Sequence, residues 1–244
     1  MQIKKAILAN FIKKVVPLPA SMTEILLNFT EEGITVTNVE TRSRSLLLTG
    51  LLPSTKFTDY QAIGKIGLKN IKTVVGVINS FTTEEIKLTY NGTDLLTFSD
   101  TNDKKSINCK IVKPEYLKMF DTNIPFEYDE ELEVASSKDF STIIANHTLI
   151  GAENITLTIN GSSLKVKLKS ANNDFTLMDE IPLNKDCKKA KLVTTAFLTD
   201  VLAVIDEGFT IQYKGDVDGV EKSPAIKIIV KSDVPVSYYL ALAV

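Results

Sequence analysis

His147 is the only histidine among 244 residues, so any proton-transfer chemistry in this chain would have to be built around one imidazole. A Ser-His-Asp or Cys-His nucleophile system needs that imidazole as its base. His147 instead continues an apolar stripe with Phe140, Ile143 and Ile144, which reads as a packed or edge histidine. Cys109 and Cys187 are the only cysteines, too few for a disulfide framework or a zinc site. No Gly-x-x-x-x-Gly-Lys-Ser/Thr loop occurs, and Gly64-Lys-Ile-Gly67 has the wrong spacing to cradle phosphate. Carboxylates are plentiful, yet nothing in the sequence pairs two of them in a pocket. The expectation is a protein that is not an enzyme and needs no cofactor or metal. What remains is cationic: Lys13-Lys14, with Lys69 and Lys72, which on their own read as ordinary solvated helix faces.

The elements that must carry these residues follow from composition and period. At 44% hydrophobic and 24% charged, with a formal net charge of −2, the chain is neither disordered nor membrane-embedded. No apolar run approaches the ~20 residues that span a bilayer. The short apolar start is interrupted by Lys13 and Lys14 and lacks a signal-peptide core, so an intracellular, reduced setting is expected. Asn-x-Ser/Thr triplets at Asn28, Asn91, Asn146, Asn154 and Asn160 are read as products of an Asn- and Thr-rich composition.

Much of the chain alternates with period two between turn signals. Ile86–Tyr90, Asn91-Gly92 and Leu95–Phe98 form one expected hairpin; Ile155–Ile159, Asn160-Gly161 and Leu164–Leu168 form another, since Asn-Gly suits tight turns. A third, Ile25–Phe29 with Ile34–Thr37, turns at Glu31-Glu32-Gly33. Helical period is confined to short segments. The first has Leu8, Phe11, Ile12, Val15 and Val16 on one face, Asn10, Lys13 and Lys14 opposite, and Pro17 as its stop. The second groups Leu68, Ile71, Val75 and Ile78, the third Phe140, Ile143, Ile144 and His147. The fourth groups Phe197, Leu198, Val201, Leu202 and Ile205, with Gly208 as its stop. The order of elements repeats. This predicts an α+β chain of two similar β-rich lobes, each with two short helices, over 1–112 and 128–244, joined by a proline-containing connector at 113–127.

In this frame the chain resembles the sliding-clamp family of proliferating cell nuclear antigen (PCNA). The resemblance rests on Ile12-Lys13-Lys14-Val15 in the first helix and on Asn123-Ile124-Pro125 at the end of the connector. It rests also on Phe140 followed by Leu149-Ile150-Gly151, and on the terminal Tyr238-Tyr239-Leu240-Ala241. It implies a processivity factor: a homotrimeric ring that encircles double-stranded DNA and tethers DNA polymerase and other replication and repair enzymes. Helices would line the hole, and Lys13, Lys14, Lys69 and Lys72 would face DNA. A clamp loader and PIP-box-type peptides are the implied partners. By position, the peptide pocket would comprise Val39, Leu46, Leu117, Phe120, Ile124, Pro224, Tyr239 and Ala241. Edges near Val112 and residues 174–183 would make the contact between subunits.

The chain departs from the family pattern in three ways. Leu242 stands where proline is usual, and Glu40-Thr-Arg-Ser-Arg44 replaces a stretch with aspartate and histidine. Charge is also uneven, with a net of +4 over 1–112 and −6 over 113–244. The third helix offers only Lys138 near its start, and the fourth offers Thr195, Thr199, Asp200, Ala203 and Asp206. DNA contact is therefore expected mainly on the first half. The lysines at 185, 188, 189 and 191 read as a surface loop. Two other readings stay open: a clamp subunit that works only with non-identical chains or a processivity factor that never closes a ring alone, and a β-rich binding or structural protein.

Overall fold

The structure is a computed structural model that describes every residue except Pro19, Asp103, 118–126, Asn173, 215–224 and 243–244. It divides into two compact units, each assembled from non-contiguous chain. The first holds Met1–Arg42, Leu48–Thr122 and Asp233–Val236, and the second holds Ser43–Leu47, Asn123–Ser232 and Ser237–Val244. Two short segments, Ser43–Leu47 and Asp233–Val236, belong to the unit remote from them in sequence.

In the first unit, β1 (Gln2–Lys4) leads directly into α1 (Lys5–Val15). Next come β2 (Glu24–Thr30), β3 (Gly33–Val39), β4 (Leu46–Pro53), β5 (Phe57–Thr58) and β6 (Gly64–Lys69). After these, α2 (Ile71–Asn79) precedes β7 (Glu85–Tyr90), β8 (Leu95–Asp100) and β9 (Ser106–Lys110). Strands β5-β1-β7-β8-β9 make one antiparallel sheet, with β9 at its edge. β6, β2, β3 and β4 are neighbours in a second.

The expected hairpins at Glu31-Glu32-Gly33 and Asn91-Gly92 are present. At the latter, Asn91 Oδ1 accepts the amides of Thr93, Asp94 and Leu95, each at 3.0 Å, so side-chain chemistry closes the turn. In α1 the buried face includes Leu8, Phe11, Ile12 and Val15, as the period predicts. In α2 it is Ile71, Val74 and Ile78, with Val75 only half-buried, while Leu68 belongs to β6. The backbone leaves the strand through Asn70 (φ 55°), which shifts the helix start past Leu68.

The second unit repeats the order in modified form: β10 (Glu130–Val134), α3 (Ser141–Ile150), β11 (Ala152–Ser170), β12 (Thr176–Thr195) and α4 (Phe197–Ala203). β13 (Phe209–Tyr213), β14 (Ala225–Val230) and β15 (Val236–Ala241) follow. The order β10-β13-β14-β15 makes one sheet, and β11 pairs with β12. Asn160-Gly161 does not separate two strands as expected. β11 runs through it without interruption, 154–159 pairing with 190–195 and 163–169 with 176–182. Register breaks on both sides of Gly161, whose φ of 62° is the left-handed geometry that glycine adopts at no steric cost. Phe140 sits in a 3-10 turn ahead of α3, and α4 ends at Ala203, before Gly208. Residues 185–191 lie within β12 and not in a loop.

Candidate nucleic-acid interface and peptide pocket

Each helix buries one stripe and leaves another to solvent, and the residues on the exposed stripes decide what the helices can touch. On α1 the exposed positions are Ala6, Asn10 and Lys13, one helical line at i, i+4 and i+7. On α2 they include Lys72, Thr73, Gly76 and Asn79. Lys13 and Lys72 thus present ammonium groups to water. Lys14 departs from the expected polar face, because it is only 2% exposed. At 3.6 residues per turn it lies about 110° from the centre of the apolar stripe, against about 150° for Lys13, so its long stem falls nearer the packed side. Lys69 closes β6, partly exposed, with its Nζ 3.1 Å from Glu24 Oε1.

Two lysines that the sequence did not single out hold the end of α2. Lys5 Nζ donates to the Phe81 carbonyl at 2.6 Å, and Lys105 Nζ donates to the Ser80 carbonyl at 3.0 Å. Cations at this end complement the helix dipole, so both are committed to structure.

The second unit offers a different surface. α3 exposes Ser141, Thr142, Ala145, Thr148 and Leu149, the last 82% exposed. Neither α3 nor α4 contains a lysine or arginine. Lys138 lies in the 3-10 turn before α3, next to Asp139. Asp206 is exposed beyond α4, and Asp200 is half-buried. Burial pushes the Asp200 carboxyl up, against the opposing pull of His147 on α3. His147 Nδ1 lies 2.9 Å from the Ile144 carbonyl and Nε2 lies 3.2 Å from Thr148 Oγ1. That engagement accounts for its place at the stripe's edge.

The residues assigned by resemblance to a peptide pocket behave unequally. Phe120, Ile124 and Pro224 lie outside the described residues. In the first unit, Val39 at the end of β3 and Leu117 after the 3-10 turn Pro114–Tyr116 are buried at 9% and 8% exposure. In the second, Leu46 is fully buried, while Tyr239 and Ala241 are half-buried. The second unit brings the last two toward Leu46: the Ala241 amide donates to the Ser45 carbonyl at 2.9 Å. Lys227 Nζ lies 5.4 Å from the Tyr239 ring centroid, a cation–π contact that holds the ring. A cavity of about 460 Å³ in this unit is lined by Glu127, Tyr128, Asp129, Gln212 and Lys214, and Tyr128, whose phenol burial pushes up, lies near enough to Tyr239 to feel its charge.

Among the described residues, no group of three or more His, Cys, Asp or Glu is placed to hold a metal. No helix is long and apolar enough to cross a membrane. The edge strands carry further chemistry. β9 and its flanks expose Lys104, Lys110 and Lys113, whereas β12 and the turn before it carry Asp174, Asp179 and Glu180. Phe175 and Met178, at the same end of β12, are each 66% exposed.

No protein-family model and no curated protein matches the chain. Solved structures do. A PCNA from Entamoeba histolytica superimposes with a TM-score of 0.80 at 14% identity, covering 100% of this chain and 98% of that one. A PCNA2–PCNA3 complex from Sulfolobus tokodaii gives 0.77 at 16% identity, over 99% of both chains. The A. fulgidus PCNA bound to the C-terminal region of FEN-1 gives 0.76 at 14%, over 100% of this chain and 98% of that one. The chain therefore has the fold of the PCNA sliding clamps along its whole length.

Proposed function

We propose that this chain is a DNA sliding clamp: a non-catalytic, intracellular processivity factor that closes into a ring of three around duplex DNA and tethers DNA polymerase and repair enzymes. The observation that carries this reading is the full-length likeness to PCNA structures at TM-scores of 0.76–0.80. The helix stripes agree with it, because Lys13 and Lys72 offer phosphate contacts from exposed helix faces. Lys69 adds a cation shared with Glu24, and Lys14 contributes only if its buried ammonium is released.

Ring closure needs a heterologous contact, one surface meeting a different one on the next copy. β9 and β12 suit such a contact. β9 ends its sheet with Lys104, Lys110 and Lys113 on or beside it, and the first part of β12 with the turn before it carries Asp174, Asp179 and Glu180. The rest of β12 carries Lys185, Lys188, Lys189 and Lys191, so the contact we propose joins β9 to the acidic end of β12. Partner peptides, by the same reading, lodge at Val39, Leu46, Leu117, Phe120, Ile124, Pro224, Tyr239 and Ala241, where Tyr239 and Ala241 keep solvent access. That FEN-1 is bound to one of the similar structures supports a peptide-binding role.

The first experiment is solution mass by light scattering on a size-exclusion column. The expected mass is about 81 kDa, three copies of 26.9 kDa. A closed ring then predicts retention on circular duplex DNA and loss after linearisation; equal loss from both would overturn encirclement. A second reading, a ring that requires non-identical chains, is favoured by the acidic second half and by the PCNA2–PCNA3 pairing in one similar structure. It predicts a monomer in isolation.

A further inference from the structure

Resting on the reading of this chain as a clamp, we infer that it grips the phosphate backbone through the first unit alone, at Lys13 and Lys72, and that the helix face of the second unit makes no phosphate contact. Sequence composition predicts only a charge imbalance. The structure identifies which cations are available. Of the lysines on or beside α1 and α2, Lys14 is buried, Lys5 and Lys105 are tied to the carbonyls ending α2, and Lys69 is paired with Glu24. Lys13 and Lys72 are the helix-borne cations that stay exposed, and among the described residues neither is paired with a carboxylate.

On the second unit the exposed stripe of α3 is Ser141, Thr142, Ala145, Thr148 and Leu149, without a cation. α4 itself carries Asp200, and Asp206 lies exposed just beyond it, both of the sign that phosphate repels. Lys138 precedes α3 and has Asp139 as its neighbour. Phosphate attraction is screened within about 8–10 Å at ordinary salt, so a helix face with no cation of its own borrows little from elsewhere. Two free cations per subunit allow at most about six counterion-releasing contacts in a ring of three, so the log–log salt slope should be no steeper than about −5. A closed ring tolerates this, because topology and not affinity holds it on DNA.

The test is duplex binding by fluorescence anisotropy between 50 and 200 mM KCl, on the full chain, with the mass of every variant checked. Lys13→Glu/Lys72→Glu should weaken binding roughly tenfold or more at low salt and flatten the salt dependence. Lys138→Glu should leave both unchanged. Thr142→Lys/Thr148→Lys, which adds cations where none exist, should tighten binding and steepen the log–log salt slope by about 0.9 for each new contact. If the wild type binds as a ring but the first pair has no effect, or if Lys138→Glu costs as much, the inference fails while the clamp reading stands. If the wild type binds no duplex even at 50 mM KCl, the inference fails, and the clamp reading is decided separately by retention on circular against linear duplex.

Discussion

Individual side chains show where a sequence reading of charge stops. Lys13 and Lys14 are adjacent and chemically identical, yet one is exposed and the other is 2% exposed. Only their angles relative to the packed stripe separate them, and that depends on how widely the core covers the helix. Asp200 is similar. In the sequence it is one more acid on a polar face; in the fold, burial raises its carboxyl and His147 opposes that shift. An acid whose folded value lies above its unfolded one binds protons more readily when folded, so it subtracts stability as pH rises past the ordinary value of ~3.9 toward the folded one. Asp200→Asn should therefore raise Tm at pH 7. The gain should shrink as pH falls toward the carboxylate range, because the wild-type carboxyl is then protonated. Thermal melts of both proteins from pH 4 to 8 check this, and a variant less stable at pH 7 would show that the His147 interaction outweighs burial.

At the scale of elements, period and turn chemistry were legible wherever contacts are local. The hairpins at Glu31-Glu32-Gly33 and Asn91-Gly92 and the buried stripe of α1 follow from neighbouring residues. The uninterrupted β11 does not. Asn-Gly supplies left-handed backbone to a bend as readily as to a turn, and the pairing with β12 that decides the outcome comes from more than twenty residues away. The shift from Val75 to Val74 in α2 likewise depends on where Asn70 lets the helix begin.

Gly67 was legible only as part of a failed phosphate-loop spacing, but it carries a packing constraint. Its carbonyl accepts the Val112 amide at 2.9 Å, and a Cβ there would lie 2.4 Å from the Val112 carbonyl oxygen and 2.7 Å from Leu117 Cδ1. Gly67→Ala must push the start of the connector off β6. It should cost about 1–3 kcal/mol in urea melts, as overpacking does, and should loosen Leu117. Gly161→Ala lacks such a clash, with only Asp186 Oδ1 at 3.6 Å, and should cost about 1–2 kcal/mol through its backbone angle alone.

For the whole molecule, the repeat of strand, helix, strands, helix and strands is readable, and together with motifs such as Ile12-Lys13-Lys14-Val15 and Tyr238-Tyr239-Leu240-Ala241 it carries the resemblance to clamps. Which peptide pocket residues stay accessible was not, because burial of Leu46, Val39 and Leu117 depends on the assembled core. Nor does a linear sequence say which strands end a sheet. Once β9 and the acidic end of β12 at 174–180 are seen as edges of opposite charge, the proposed ring becomes testable through parity. Reversing β9 with Lys104→Glu, Lys110→Glu and Lys113→Glu should lower the mass from about 81 kDa toward 26.9 kDa. Reversing β12 with Asp174→Lys and Asp179→Lys should do the same; Glu180 is spared because it is bound to Ser163 and Lys165.

Both reversals in one chain restore every contact in a head-to-tail ring and should return the mass to about 81 kDa. Mixing the two single-edge variants should not. Unlike neighbours then attract at both edges and like neighbours repel, and a ring of three must contain at least one like pair. A two-fold dimer built on the same edges would be rescued by the mixture. Light scattering on the doubly reversed chain and on the mixture therefore separates a three-membered ring from a dimer, and rescue by the mixture to a species of two copies would remove the ring from the account.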